Sequence, residues 1–237
     1  MPSAAELAAR TPTTPLHWQP GFRLVASRFP PIDLFERVAD PADWEALAAL
    51  ESLTNPRLRD AAGEISLVPA ADRVSGPGAS VIMAPFTHLN PDGSRFADAL
   101  AGALYVADTL ETAIAETRHH REKFLRATRE PPTEIELRCY MIDVAGTFHD
   151  LRGLRGETAF SAVYDPDDYS ASQAFARELR RRGADGVCYD SVRRDGARNL
   201  AAFRPRLASN VRQNKHLRYV WDGQRIAQVY EIRLLET

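Results

Sequence analysis

Cysteine is scarce in this chain: Cys139 and Cys188 are the only two in 237 residues. That is too few for a disulfide framework or a cysteine metal knuckle, so a reducing compartment is expected. Long apolar runs are missing as well. None approaches the roughly 18 residues that cross a bilayer, and residues 1–20 lack the apolar stretch of a secretory signal. A cytoplasmic protein with no membrane attachment is the expectation. An excess of one charge is also absent. The 30 Lys and Arg residues stand against 32 Asp and Glu, a formal net charge of −2. Nothing in that balance favours nucleic acid, and the arginine-rich segment 193–218 has no aromatic-lined basic stripe. The sequence contains no G-x-S-x-G elbow, no G-x-x-x-x-G-K-S/T phosphate loop and no G-x-G-x-x-G after a strand. Glu116-x-x-His119 is half of a carboxylate-bridged metal motif, but no second copy exists, so no metal is expected.

What is present is ordinary globular material, 44% hydrophobic and 26% charged, enough for a real core. Thr-Pro-Thr-Thr-Pro at 11–15 marks residues 1–20 as a flexible lead, leaving 21–237 as one domain. Residues 22–29 form a short strand carrying Arg23 and Arg28. Asp40-Pro41 opens a helix that Asn55-Pro56 stops. The stretch 63–103 is rich in Gly and Pro and reads as loop around one apolar run, 81–86. Residues 103–107 (ALYVA) read as a buried strand, followed at once by a helix capped by Asp108 or Thr109, with Glu116 at the edge of its apolar face. The alternation Ile135, Leu137, Cys139, Met141 predicts a half-buried strand. Ser170 with Gln173 reads as a capping box for a helix that Gly183 terminates. A short strand at 187–189, another at 200–203 and a hairpin about Asp222-Gly223 complete the pattern. The expected fold class is α+β: a single compact domain with a central mixed or antiparallel sheet flanked by helices.

Polar residues sit just beyond these elements, where catalytic groups often lie: Arg23, Arg28, Arg95, Tyr105, Glu116, Ser191, Arg193 and Asn199. Singly, each has an ordinary explanation. Arg95 suits a loop salt bridge, Tyr105 a core position and Ser191 a turn. From spacing alone the chain is an α+β enzyme or a binding domain.

Gly93-Ser94-Arg95-Phe96, Gly102-Ala-Leu-Tyr105-Val-Ala107 and Thr112-Ala-Ile-Ala-Glu116 together resemble the central block of RES domains. The segment from Gly186 through Ser191 to Arg193, with Asn199 to Phe203, is similar to that family's serine segment. The resemblance spans roughly residues 20–210 and makes 21–237 a RES catalytic domain. It implies a fold like that of ADP-ribosyltransferase toxins of the diphtheria type. The implied catalytic residues are Glu116, Arg95 and Ser191, with Arg28, Tyr105, Arg23, Arg193 and Asn199 binding substrate. The implied activity is that of a toxin that degrades NAD+ at the nicotinamide–ribose bond, with phosphate or water as acceptor. NAD+ is then substrate rather than cofactor, and inorganic phosphate an optional co-substrate. The implied partner is an Xre-like helix-turn-helix antitoxin, and the assembly is a homodimer or a toxin–antitoxin hetero-oligomer. The chain departs from shorter members by an inserted helix at about 40–62 and a longer Gly/Pro segment.

These residue types suit that chemistry. Nicotinamide leaves as a neutral molecule, so no strong acid is needed. The positive charge growing on the ribose calls for a fixed carboxylate, and a pyrophosphate calls for planar arginine donors. Two other classes stay open: a protein ADP-ribosyltransferase, in which a side chain attacks the ribose, and a non-catalytic nucleotide-binding or partner-docking domain.

Overall fold

The computed structural model describes residues 2–27 and 63–233. Strand β3 (Thr133–Asp150) organises it. On one edge β3 pairs antiparallel with β1 (Thr13–Ala26), from Thr13 opposite His149 to Ala26 opposite Leu137. On the other edge it pairs antiparallel with β6 (Ala208–Trp221) and, through His149 and Asp150, parallel with β4 (Gly186–Asp190). From β4 the sheet runs to β5 (Arg198–Ala202), then to β2 (Leu104–Ala107), and returns to β1 where Phe22 faces Ala107. These five strands therefore close into a ring. β6 and β7 (Ile226–Ile232) extend the sheet as a hairpin. The sheet is mixed, and with its helices it makes one α+β domain.

Among the described residues four helices cover the sheet: α1 (Ala4–Arg10), α2 (Ala79–Thr87), α3 (Leu110–Ala127) and α4 (Ser170–Arg181). Each presents its own apolar stripe. Ile82, Met83 and Phe86 of α2 pack with Leu104, Val106 and Ile142. Phe175 and Leu179 of α4 pack with Leu7 of α1 and Val187 of β4. Leu125 of α3 packs with Leu137, Leu217 and Trp221. Burying side chains of this size stabilises by about 1.5–3 kcal/mol apiece. The alternation in β3 holds where one face is open, with Leu137 and Cys139 fully buried and Glu136 exposed. Further along, Tyr140, Ile142, Asp143 and Val144 are all buried, because both faces are covered there.

Several expectations from the sequence need correction. Residues 1–20 are not a flexible lead. Ser3 and Glu6 form a capping box that starts α1, and β1 begins at Thr13. Pro15 is tolerated because, among the described residues, Thr13–Trp18 pairs only with β3, and Pro20 falls at the register shift between Trp18 and Gly21. The 63–103 stretch is not all loop. Its apolar run is the body of α2, which keeps Pro85 inside it, and the i, i+1, i+4 burial of Ile82, Met83 and Phe86 outweighs one lost backbone donor. The Ser170–Gln173 capping box does not form. Tyr169 is the N-cap, Asp168 Oδ1 accepts the Ser170 N–H, and Gln173 reaches across to Ser94. The helix expected at about 40–62 and Arg28 lie outside the described residues.

Candidate active site

Three local devices converge on one place. The first is the turn 90–97. Gly93 donates to the Asn90 carbonyl at 2.8 Å and has φ +66; a Cβ there would lie 2.6 Å from the Ala97 carbonyl oxygen. Only glycine fits. Ser94 N–H then bonds the Ala97 carbonyl at 2.8 Å, leaving Arg95 and Phe96 at the tip. Tyr105 on β2 pins this turn: its hydroxyl accepts the Phe96 N–H at 2.8 Å and bonds Ser94 Oγ at 2.8 Å. Arg95, only 6% exposed, donates through Nη1 to the Val163 carbonyl at 2.8 Å and lies 5.0 Å from the Tyr169 ring centre. Its Nη2 is buried without a hydrogen-bond partner.

The second device is α3. Thr109 caps it by accepting the Thr112 N–H at 3.2 Å, and Asp108 Oδ1 accepts the Thr112 hydroxyl at 2.7 Å. This fixes the helix start directly after β2, and Glu116 follows two turns on. The third is the turn after β4. Ser191 N–H bonds the Ala197 carbonyl at 2.8 Å. Ser191 Oγ accepts the backbone N–H groups of Arg193 and Arg194, at 3.0 and 3.1 Å, and donates to Glu116 Oε1 at 2.6 Å. Asn199, on β5, donates to the same oxygen at 2.7 Å. Each bond to an ionised carboxylate is worth about 1.5–3 kcal/mol.

Between these devices lies a cavity of ≈ 580 Å³, within the range of small-molecule sites. Arg23, Arg95, Tyr105, Glu116, Arg193 and Asn199 all line it, as the sequence reading expects. Ser191 does not. It is 1% exposed and stands behind Glu116. Arg121, Tyr169, Tyr189 and His120 also line the cavity and escaped the sequence reading. Of these, His120 and Arg121 had a signal in their spacing: they follow Glu116 and Thr117 by one helical turn.

The charge pattern is lopsided. Arg23, Arg95, Arg121 and Arg193 reach the wall, and none of them forms an ion pair among the described residues. Of the two carboxylates there, Asp98 is tied to Arg177 at 3.0 Å, while Glu116, among the described residues, has only its two neutral donors. Burial lowers the Arg23 guanidinium to about 10. Its Nη1 donates to the Tyr105 carbonyl at 3.2 Å, and its Nε has no partner. The Tyr189 ring meets Phe96 edge-on at 4.9 Å. Its phenol is pushed well above the usual range, first by burial and then by the Glu116 charge, and stays protonated. Despite its open edge, the His120 ring is brought down to about 4 by partial desolvation and then by Arg193, so it is neutral near pH 7. Burial raises the Cys139 and Cys188 thiols to about 11 and about 12, which removes them as nucleophiles. Among the described residues no group of three or more His, Cys, Asp or Glu could hold a metal ion, and no helix is long and apolar enough to cross a membrane.

Fold and site thus define an α+β domain with a cationic cavity and one clamped carboxylate. The chain belongs to the RES-domain family: the model of that domain matches residues 70–222. A relative from Sinorhizobium fredii (strain NBRC 101917 / NGR234), "Uncharacterized protein y4oC", is 34% identical over 212 residues, covering 88% of this chain and 86% of the relative. Among solved structures, the chain is similar in fold to one in the crystal structure of the M. tuberculosis MbcT–MbcA toxin–antitoxin complex. That match has a TM-score of 0.50 at 13% identity, over 93% of this chain and 92% of the other.

Proposed function

We propose that this protein is the toxin of a toxin–antitoxin pair and consumes NAD+ by breaking the nicotinamide–ribose bond, with phosphate or water as acceptor. The observation that carries this reading is the Glu116 carboxylate, held by Ser191 and Asn199 on the wall of a cavity that four arginines also line. NAD+ pairs a dianionic pyrophosphate with a ribose that turns cationic as its bond breaks. The arginines suit the first and the carboxylate the second. Membership of the RES-domain family supports the activity. The fold shared with a chain of a toxin–antitoxin complex supports the partner, an Xre-like helix-turn-helix antitoxin that forms a hetero-oligomer with this chain in the cytoplasm. The same reading makes the domain ADP-ribosyltransferase-like.

The steps follow from charge. The arginines bind and orient the pyrophosphate. The electron pair of the C–N bond passes to the ring nitrogen, and neutral nicotinamide departs. Glu116 stabilises the oxocarbenium-like ribose by about 3–4 kcal/mol, on the scale of a single well-placed electrostatic group. An oxygen of phosphate or water then bonds to the anomeric carbon, water losing its proton to solvent. Purified protein incubated with NAD+, with and without inorganic phosphate, is the test. Nicotinamide together with ADP-ribose-1″-phosphate or ADP-ribose is the expected result. Label transferred to protein would instead identify an ADP-ribosyltransferase, and binding without nicotinamide release would identify a nucleotide-binding domain.

A further inference from the structure

Ser191 lies in the segment that resembles the serine segment of the family, yet its hydroxyl is fully engaged inside the protein. Its proton goes to Glu116 Oε1 at 2.6 Å, and its oxygen accepts two backbone N–H groups, from Arg193 at 3.0 Å and Arg194 at 3.1 Å. A serine hydroxyl has one donor and two acceptor sites, so all three are filled. The side chain is 1% exposed and does not line the cavity. Asn199 donates to the same carboxylate oxygen at 2.7 Å. Both neutral donors therefore converge on Oε1, and Oε2 takes no hydrogen bond from the described residues.

We infer that Ser191 is a positioning residue. With Asn199 it fixes the rotamer of Glu116, so that Oε2 alone addresses the substrate, and Ser191 itself neither touches nor attacks it. This rests on the NAD+ reading for its consequences in catalysis, but not for its geometry. Ser191 has a second task in the same place: its oxygen anchors the backbone of Arg193, which carries a guanidinium to the cavity wall. One buried hydroxyl thus ties the acidic centre to part of its cationic surround. Arg194 adds a brace, its Nη1 lying 3.1 Å from both Thr109 Oγ1 and Thr112 Oγ1 at the start of α3.

Two double-mutant cycles test this, pairing Ser191→Ala with Glu116→Ala in the first and with Glu116→Gln in the second. In the first, urea unfolding midpoints are measured without NAD+. Non-additive shifts are expected, because each change removes part of the same contact; additive shifts would overturn the clamp. In the second, nicotinamide release is measured. Ser191→Ala is expected to lower kcat at least about tenfold and, by releasing the backbone of Arg193, to raise KM as well, with no further loss of kcat in the Glu116→Gln background. Ser191→Thr, which keeps the hydroxyl, restores most of the rate. An equal loss in both backgrounds, or a trapped O-glycosidic ADP-ribosyl adduct on Ser191, would overturn the inference. Asn199→Ala removes the other donor without disturbing the two amides and is expected to lower kcat with KM changed less than about twofold, so the proposal stands or falls even if Ser191→Ala does not fold. Should the parent release no nicotinamide, the NAD+ reading fails, while the unfolding cycle still decides whether Ser191 clamps Glu116.

Discussion

Glu116 and Asn199 lie 83 residues apart in the chain, yet their side chains meet at 2.7 Å, the amide of Asn199 donating to Glu116 Oε1. The contact is possible because β2, which leads into α3, pairs with β5, which carries Asn199, with Ala107 opposite Asn199. Strand pairing thus sets the position of an acid that sits on a helix.

Arg95→Lys is expected to raise KM for NAD+ by about tenfold or more, with a smaller effect on kcat, since lysine loses the planar fork that suits phosphate. Steady-state kinetics decide it. An unchanged KM would remove Arg95 from the phosphate contacts. Some loss of stability accompanies the change, because Arg95 also donates to the Val163 carbonyl.

Tyr105→Phe strips the hydroxyl that accepts the Phe96 N–H and bonds Ser94. A buried donor left without its partner costs about 1–3 kcal/mol, so the urea midpoint is expected to fall by a matching amount. If stability were unchanged while KM rose, Tyr105 would serve the substrate rather than the turn.

The pH dependence of stability has a source in His149. Its Nδ1 is buried without a hydrogen-bond partner, and burial first, with the Arg182 charge second, lowers its titration below the usual 6.5. The folded state therefore binds a proton less readily than the unfolded chain. Stability from this group is complete above pH 6.5 and falls as pH drops through the lowered value. His149→Gln is expected to flatten the loss of unfolding free energy below pH 6.5; an identical pH slope in the variant would contradict it.

Much of this arrangement was legible beforehand, and the reasons are physical. The ALYVA strand, the helix after it and the Asp222-Gly223 hairpin depend on local pattern, and they appear where the pattern puts them. Asp222 Oδ1 accepts the N–H groups of Gln224 and Arg225 to close that hairpin. α2 was hidden by the prolines and glycines around it, and α1 by the prolines after it, although Ser3-x-x-Glu6 was a readable cap. Tyr169 and Tyr189 reach the cavity by long-range packing that no local spacing encodes, whereas Arg121 shares the α3 face of Ala113 and Thr117 at i, i+4 spacing. Ser191 was legible as important but not as buried, because its partners come from α3 and from its own turn.

Whether Glu116 drives scission of the nicotinamide–ribose bond is decided by nicotinamide release from NAD+, measured for the parent and for Glu116→Gln side by side. Glutamine keeps the size and can still accept from Ser191 and Asn199 through its carbonyl oxygen, but it has no charge. The expected result is release by the parent and a rate lower by about 10²–10³ in a variant that keeps the parent's circular dichroism and still binds NAD+. Equal rates in the two proteins would contradict the assignment.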